Sequence, residues 1–192
     1  MPLLITYPRR LAAGEVFDGI VTNVDWAQTL LDAAGAEHHP RMQGRSFWPD
    51  LLGRPRTPPA EGMYYRYWEH DDAIHKAPAH YGYRTDRHKI IYFYNDGLGL
   101  PGSGHFSYPP EWELYDLYSD PSELHNVYDD PTYARVREEL KSAMWREQAR
   151  LGDAPHPSQP RPVGAEDVEP APVPPLPAGP GQPAGIHVAS PE

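Results

Sequence analysis

The sequence contains no cysteine, and this absence excludes several kinds of site at once. Without a thiol the chain has no disulfide, no thiolate metal site and no cysteine nucleophile, and it offers no cysteine for conversion into another reactive group. Long apolar runs are also absent, and the mean hydropathy of −0.69 excludes a membrane-spanning helix. The N-terminus lacks the basic leader and long apolar segment of a signal peptide, so the compartment is left open.

Basic residues are too few and too dispersed for a surface that binds nucleic acid. The chain carries 17 Lys and Arg against 27 Asp and Glu, which gives a formal net charge of −10. Because affinity for a phosphate backbone comes from clustered Lys and Arg, the composition excludes nucleic acid as the expected partner.

Proline is concentrated at the C-terminal end, where roughly half of the 25 prolines follow Gly152. Proline fixes φ and removes a backbone donor, so the composition predicts a disordered tail over residues 153–192 with polyproline II character. Such a segment is also able to dock in an aromatic groove, but the composition favours a solvated tail. The folded part is expected within residues 1–152.

The first 52 residues predict one strand and one helix, followed by a helical turn at residues 46–52. Residues 3–7 form a short apolar run that ends at Pro8, the pattern of a strand buried on both faces. A buried strand needs neighbours in a sheet, and nothing precedes this one in the chain. A T-x-x-D capping pattern at Thr22 and a glycine at Gly35 bound the helix. Its apolar stripe comprises Val24, Ala27, Leu30, Leu31 and Ala34.

Four aromatic, β-prone runs follow and predict an antiparallel meander. Turns at Asp86-Arg87 and at residues 95–97 follow the second and third runs, and a loop rich in Gly, Ser and Pro delays the fourth. The runs cover residues 63–68, 80–85, 88–94 and 112–117.

A long helix is predicted after the strands. Asp130 supplies an N-cap and Pro131 a proline in the first turn, and apolar residues then recur on one stripe. The stripe comprises Tyr133, Val136, Leu140, Met144 and Leu151. Because such a helix needs a sheet face to cover its stripe, these elements predict a small α+β unit of four antiparallel strands packed by one helix.

Two clusters of polar side chains have the composition of metal sites but not the spacing. The first comprises Glu69, His70, Asp71, Asp72 and His75. The second comprises Asp116, Asp120 and Glu123. The first places no two ligands on one face of an element in a zinc pattern, and the second lacks the alternating positions of an EF-hand. A solvated connection and a turn rich in Asx caps are the favoured interpretations.

No complete nucleophilic site is visible in the sequence. A G-x-S-x-G elbow is absent, and the glycine-rich residues 97–104 lack the preceding strand, the following helix and the Lys of a phosphate-binding loop. The residues alone therefore predict an acidic, aromatic-rich α+β domain without a catalytic set.

A series of short motifs nevertheless follows a recognisable order. The motifs are MPLLITYP (1–8), VTNVDWAQTLLDAAG (21–35), MQGRS (42–46), HYGYRT (80–85), KIIY (89–92), ELYDL (113–117), DP (120–121), EL (123–124) and NV (126–127). Each motif is weak alone, but the ordered series strongly resembles the C-terminal part of the sulfatase family. The closest resemblance is to the region that ends N-sulphoglucosamine sulphohydrolase-like and related carbohydrate sulfatases, and it covers nearly all of residues 1–152.

The resemblance implies that the chain holds part of a two-domain protein. Sulfatases of this kind have a large alkaline-phosphatase-like α/β domain that carries the chemistry, followed by a small domain of four antiparallel strands and a helix. Residues 1–55 would be the last strand and helix of the large domain, residues 56–152 the C-terminal subdomain, and residues 153–192 the tail. The N-terminal domain, missing from this chain, is then the expected partner.

The family's cofactors are expected in that missing domain. The resemblance implies a formylglycine, made from Cys or Ser in a C/S-x-P-x-R motif, and a calcium ion held by Asp and Asn or His. Neither pattern matches this chain, so no catalytic residue and no metal ligand are carried over. The nearest string, residues 107–111, reads Ser-Tyr-Pro-Pro-Glu and has Glu where the motif requires Arg.

What the resemblance does carry over is a wall of the substrate pocket. The family's His-Tyr-Gly segment lies near the cleft, which makes His80 a candidate contact to the sugar or the sulfate; the alternative is a satisfied histidine at a strand end. Arg84 is a second candidate, although its position also suits a structural ion pair. The aromatic residues nearby are Tyr64, Tyr65, Tyr67 and Trp68. They are able to stack on a sugar ring, but such a strand more often packs as core against the helix.

Two functional hypotheses follow from the sequence. The first is the C-terminal portion of a sulfatase that acts on sulfated carbohydrate when joined to its N-terminal domain and is inactive alone. The alternative is a non-catalytic module, derived from the same domain, that binds glycan or another subunit.

Overall fold

The computed structural model describes residues 3–54 and 61–162 of the 192-residue chain. The helices are α1 (Trp26–Ala34), α2 (Trp48–Leu51) and α3 (Ala134–Leu151), with 3₁₀ turns at Asn23–Asp25 and Pro131–Tyr133. The strands are β1 (Met63–Tyr67), β2 (His80–Arg84), β3 (His88–Phe93) and β4 (Glu111–Asp116). Within the described ranges, no helix is both long enough and apolar enough to cross a membrane.

The four strands form one antiparallel sheet in chain order, which confirms the predicted meander. Aromatic and β-branched residues favour the pleated backbone, and Thr85 closes the tight β2–β3 turn by accepting the N–H of His88 on its hydroxyl. The register places Tyr81 opposite Arg66 on β1 and Tyr92 on β3. Because directly opposed residues point the same way, these three side chains share one face of the sheet.

Helix α3 covers this face, which we call the helix face. Leu140 and Met144 on the predicted stripe of α3 are buried in a core shared with the strands. The strand-side members of the core are Tyr81, Tyr83, Ile90, Tyr92, Tyr94 and Leu114. The α+β class, a small antiparallel sheet packed by a long helix, is therefore confirmed.

Both ends of α3 form where the sequence places them. The Asp130 carboxylate accepts the N–H of Thr132 at 2.8 Å, and Pro131 occupies the first turn. Gly152 ends the helix with φ of 69°, in the left-handed region that glycine adopts without a Cβ penalty.

Residues 153–162, here called the C-terminal strap, continue past α3 and pack against the edge of the helix face. The Asp153 carboxylate accepts hydrogen bonds from the Tyr64 hydroxyl and the Arg66 guanidinium, each at 2.5 Å. The Arg66 side chain is only 6% exposed, so Asp153 supplies the counter-charge for a nearly buried cation.

The remainder of the strap contacts aromatic residues of the sheet. The His156 ring stacks on Tyr94 with ring centroids 5.2 Å apart, and the Tyr81 hydroxyl donates to the Gln159 side chain. The packed part of the chain thus extends past the boundary predicted at residue 152. The rest of the predicted tail, residues 163–192, lies outside the described residues.

The predicted strand at residues 3–7 does not form in this structure. No described strand pairs with this run, and an unpaired strand leaves its backbone N–H and C=O groups without ladder partners. Its side chains are correspondingly exposed, Leu4 by 94%. An apolar run of the right composition was not sufficient, because a strand of this kind needs neighbours on both sides.

The predicted helix forms between Thr22 and Gly35, but its first turn, Asn23–Asp25, is a 3₁₀ turn that leads into α1; α2 forms within the expected turn at residues 46–52. The Asp25 carboxylate accepts both the N–H and the hydroxyl of Thr22 at 2.8 Å, which orders the first turn. Gly35 closes the helix with φ of 70°.

The face that α1 buries is the polar one, against expectation. The Gln28 amide donates to the Gly44 carbonyl, and the Thr29 hydroxyl accepts the N–H of Phe47. The predicted apolar stripe is largely exposed, with Leu30 70% exposed. The reason is that burial depends on the neighbouring elements, and within the described residues those neighbours pack on the opposite side.

Two residues of the apolar stripe, Leu30 and Ala34, line an open groove of about 450 Å³. Its lining includes Leu3, Ile5, Tyr7, Trp26, Leu30 and Trp48. The amino-terminal part of the structure therefore presents a sizeable apolar surface, whereas the sheet and α3 enclose a core of their own.

Two leucines on different helices test this contrast. Leu140→Ala removes volume from a side chain that is 5% exposed, so we expect the free energy of unfolding to fall by about 2–5 kcal/mol. The matched change Leu30→Ala alters a largely exposed side chain, so we expect a change within about 0.5 kcal/mol. Equilibrium denaturation of the purified chain measures both, and equal losses at the two positions would contradict the open groove.

Candidate functional site

The sheet face opposite α3, here called the open face, carries both site residues predicted from the sequence. Side chains alternate along β2, so His80 and Arg84 lie on the open face while Tyr81 lies on the helix face. The two predicted residues are four positions apart, which separates them by roughly 14 Å along an extended strand. They therefore share a surface but do not converge on a single small group.

His80 sits at the start of β2 inside a cluster of aromatic rings. Its imidazole stacks on Tyr67 with centroids 5.5 Å apart and planes inclined by 21°. Phe93 lies 4.9 Å away on the β3 side, and Tyr65 meets the ring edge-on at 5.9 Å. These contacts from both neighbouring strands hold the imidazole plane in one orientation.

A backbone hydrogen bond fixes the rotation of the His80 ring. Nδ1 lies 2.7 Å from the carbonyl oxygen of Pro78, and no described residue hydrogen-bonds to Nε2. Burial lowers the pKa of His80, the hydrogen bond to the Pro78 carbonyl opposes this, and the positive charge of Lys89 adds to the lowering, so that the net shift is downward. The ring is therefore held neutral more strongly than a histidine in water.

Tyr65 reaches across the sheet because the residue opposite it is a glycine. It pairs with Gly82, and a Cβ added to Gly82 would lie 2.7 Å from the Tyr65 hydroxyl and 2.6 Å from the Ile90 carbonyl oxygen. The Tyr65 hydroxyl is buried without a hydrogen-bond partner among the described residues, and burial raises its pKa. Only glycine leaves room for this crossing.

The other end of the open face carries paired charges. Lys89 bonds to Glu123 at 2.6 Å, and the Tyr115 hydroxyl donates to Glu113 at 2.9 Å. Burial raises the pKa of Glu113, and the neighbouring carboxylate of Glu111 acts in the same direction. Aromatic rings beside oriented hydrogen-bonding groups are a composition that small-molecule sites commonly have.

The aromatic residues of β1 divide between the two faces. Tyr64 packs against the core on the helix face, as favoured for an aromatic strand, whereas Tyr65 and Tyr67 lie on the open face. Trp68 follows the strand and is 46% exposed, with the Arg66 guanidinium 3.5 Å above its ring. Two of the four predicted stacking residues therefore belong to the same surface as His80.

The loop after β1 brings together Glu69, Asp72 and His75, whose potential ligand atoms lie within 4.8 Å of one another. Asp72 Oδ1 already accepts the N–H groups of Ile74 and His75 at 2.8 and 2.9 Å. Calcium prefers six to eight oxygen ligands, and this group offers two carboxylates and an imidazole. It does not fit the calcium site that the resemblance implies.

The second acidic cluster is divided among protein partners. Asp116 bonds the Arg87 guanidinium through both carboxylate oxygens, and Asp120 accepts the N–H of His125 at 2.8 Å. The favoured interpretation, a turn rich in Asx caps, agrees with these contacts.

The serine string nearest to a formylglycine motif also lacks the required surroundings. Ser107 is exposed in the loop before β4, and Glu111, at the motif's Arg position, is the first residue of that strand. The described residues therefore do not fit a formylglycine site at this position.

Sequence reasoning missed three residues that shape the site, namely Pro78, Gly82 and Lys89. The available signal was the period-two alternation of β1 and β2, which sets a glycine opposite a tyrosine once the register is known. The contact between His80 and Pro78 had no comparable signal, because it depends on the backbone of an irregular loop.

Comparison with known proteins places this chain in a family. Residues 1–150 match the family described as N-sulphoglucosamine sulphohydrolase, C-terminal. An N-acetylglucosamine-6-O-sulfatase of Bacteroides thetaiotaomicron is 37% identical over 155 residues, covering 80% of this chain and 25% of that protein. A ulvan-active sulfatase of Formosa agariphila is 25% identical over 170 residues, covering 80% of this chain and 34% of its own length.

Solved structures agree with the sequence matches. A protein solved in complex with its substrate D-glucosamine-2-N,6-O-disulfate has a TM-score of 0.67 and 35% identity, covering 77% of this chain and 28% of that one. A 2-O GAG sulfatase shares the fold, with a TM-score of 0.56, 24% identity and coverage of 72% and 27%. The chain spans a quarter to a third of the length of these curated relatives. Since the family match extends over residues 1–150 of 192, the chain belongs to the sulfatase family, in its N-sulphoglucosamine sulphohydrolase C-terminal region.

Proposed function

We propose that this chain is the C-terminal region of a sulfatase, a sulfuric ester hydrolase that acts on sulfated carbohydrate together with an N-terminal α/β domain. The observation that carries the proposal is the 37% identity, over 80% of this chain, to an N-acetylglucosamine-6-O-sulfatase. The 35% identity to a protein solved with a disulfated glucosamine supports a sulfated sugar as the substrate class.

Catalysis is assigned to the N-terminal domain, where the formylglycine and the calcium ion of the family are expected. The loop of Glu69, Asp72 and His75 does not fit calcium, and Ser107 does not fit a formylglycine precursor. The chain by itself is therefore expected to be inactive.

The N-terminal domain is also the proposed partner of the apolar groove beside α1. Residues 1–55 are assigned to the last strand and helix of that α/β domain and residues 56–152 to the C-terminal subdomain. The exposed run at residues 3–7 and the exposed stripe of α1 support this division, because apolar surface of this extent favours a covering partner.

His80 and Arg84 are proposed as the groups that face the substrate. His80 presents one ring nitrogen from the aromatic cluster of the open face. Arg84 is exposed and has only donors, which suit the acceptor oxygens of a sulfate. Their separation of roughly 14 Å along the strand means that each would contact a different part of the ligand.

A second candidate is a non-catalytic module that binds glycan or another subunit. The separate core beneath α3 and the aromatic open face favour this candidate, because both are formed by residues of this chain. It predicts a cooperative thermal transition of the isolated chain and glycan binding that His80→Ala weakens.

A chimera tests the main proposal. Residues 1–162 of this chain replace the matching C-terminal region of the N-acetylglucosamine-6-O-sulfatase, and release of sulfate from N-acetylglucosamine 6-sulfate is measured. The unaltered enzyme and a variant lacking the region serve as controls. We expect the chimera to release sulfate and the deletion variant to lose activity; a folded chimera as inactive as the deletion would count against the proposal.

A further inference from the structure

We propose that the C-terminal strap, residues 153–162, is an exchangeable ligand, and that a second copy of this chain inserts the same residues into the surface that the strap occupies here. This surface, called the strap site, comprises Tyr64, Arg66, Tyr81, Tyr92, Tyr94 and Gln148. The proposal goes beyond the proposed function, because the strap lies outside the family match, which ends at residue 150.

Polar side chains of the strap match polar groups of the strap site. Asp153 supplies the carboxylate that faces the nearly buried guanidinium. The amides of Gln159 and Gln148 exchange two hydrogen bonds of 3.3 Å, and both side chains are buried. The Ser158 hydroxyl lies 2.8 Å from the Tyr92 hydroxyl. Because a buried polar group without a partner costs free energy, the site favours a segment that carries these same groups at these spacings, which a second copy of the chain provides.

These contacts depend little on the covalent connection between the strap and the sheet. The side-chain hydrogen bonds from the strap to the strands join residues that are 66 to 89 positions apart, so the same segment of another molecule would make the same bonds. Each chain carries both a strap and a strap site. Two copies that exchange straps therefore fill both sites and form a closed, two-fold symmetric dimer.

The strap is partly preorganised for docking. Proline fixes φ at four of its ten positions, namely residues 155, 157, 160 and 162. The Gln159 N–H donates to the His156 carbonyl at 2.8 Å, and the Ser158 N–H donates to His156 Nδ1 at 3.2 Å, so the strap closes a turn of its own. A segment with few free torsions loses less conformational entropy on binding, which favours docking from another molecule.

Gly152 controls which copy receives the strap, because it alone separates α3 from residue 153. Its φ of 69° directs the strap back onto the sheet of the same chain. Asparagine tolerates this left-handed conformation, whereas a β-branched residue there prefers to continue the helix and direct the strap away. A tethered segment has an effective concentration on the order of millimolar, so we expect the unaltered chain to be monomeric at micromolar concentration.

Substitutions at this hinge test strap exchange in the full-length chain. At about 100 μM, below the effective concentration of the tethered strap, we expect Gly152→Val to form at least about tenfold more dimer than the unaltered chain in analytical ultracentrifugation. Gly152→Asn should stay monomeric, and so should Gly35→Val, the same change at the C-cap of α1, where φ is 70°. A folded, monomeric Gly152→Val chain, or equal dimer formation by Gly35→Val, would overturn the proposal.

A synthetic peptide of residues 153–162 tests recognition at the strap site without a hinge variant. The full-length double variant Asp153→Ala, Gln159→Ala keeps the site but weakens its own strap. In fluorescence anisotropy we expect the labelled peptide to bind this variant at least about tenfold more tightly than the unaltered chain, whose strap competes. A peptide with the same two alanines should not bind. Equal affinity of the peptide for both chains, or equal binding of the two peptides, would show that the strap is not an exchangeable ligand.

Discussion

Ending the chain at Gly152 is expected to lower the free energy of unfolding by about 3–5 kcal/mol, although composition alone predicts a disordered tail beyond that point. The deletion removes Asp153, the counter-charge of the nearly buried Arg66 and the acceptor of the Tyr64 hydroxyl. It also uncovers Tyr94, which is 1% exposed beneath the His156 ring. The free energy of unfolding therefore falls for two reasons: Arg66 loses its counter-charge, and aromatic surface becomes exposed to water.

The matched control is a chain that ends at Pro162. It keeps the contacts of Asp153, His156 and Gln159 described above while removing residues 163–192, so we expect its stability to match that of the full chain. Guanidinium denaturation followed by tryptophan fluorescence compares the three proteins. If the chains ending at 152 and 162 unfold at the same midpoint, the strap does not stabilise the sheet.

Asp116→Asn is expected to lower the free energy of unfolding by about 2–3 kcal/mol at pH 7. The carboxylate is 3% exposed and accepts two hydrogen bonds from Arg87, at 3.1 and 2.8 Å. It also accepts the Tyr133 hydroxyl at 3.2 Å, which ties β4 to the turn that starts α3. The amide variant loses the charge and leaves part of this network unsatisfied.

The loss of unfolding free energy caused by Asp116→Asn should become smaller as the pH falls. The bonds from Arg87 hold the pKa of Asp116 well below its usual range. Its contribution is therefore complete above the unfolded-state value of about 3.9 and is lost as the pH falls toward the lower folded-state value. The stability difference between the two proteins should be smaller at about pH 3 than at pH 7. Asp129→Asn, at an exposed position, is the control. An equal loss of unfolding free energy in the control would contradict the role of Asp116. A stability difference between Asp116→Asn and the unaltered chain that grows in acid would contradict it as well.

The sheet and α3 were predictable because their signals are local. Aromatic runs separated by Asp86-Arg87 specify the β2–β3 hairpin, and Asp130 and Gly152 mark the caps of α3 in any context. The apolar stripe of α3 had only one surface to cover, namely the sheet beside it.

The features that the sequence did not predict depend on long-range contacts. Tyr81 and Gln159 are 78 positions apart, and nothing in a proline-rich segment indicates that its side chains satisfy a distant tyrosine. The orientation of α1 was unpredictable for the same reason, since amphipathicity indicates a face to be covered but not which element covers it.

In the candidate site, too, some features follow from local sequence signals and others depend on contacts that the sequence does not indicate. Its faces follow from strand alternation, so His80 and Arg84 could be assigned to one surface once the register was known. The hydrogen bond from His80 to Pro78 and the crossing of Tyr65 over Gly82 required coordinates. The hydrogen bond to Pro78 and the edge-on contact with Tyr65 both orient the His80 ring on the open face.

The central claim, that this chain is a sulfatase C-terminal region whose catalysis resides in another domain, is tested most directly by assaying the purified chain alone. With N-acetylglucosamine 6-sulfate and calcium supplied, the account predicts no release of sulfate above the uncatalysed background. Sulfate release in proportion to the concentration of the purified chain, with no second protein present, would contradict it.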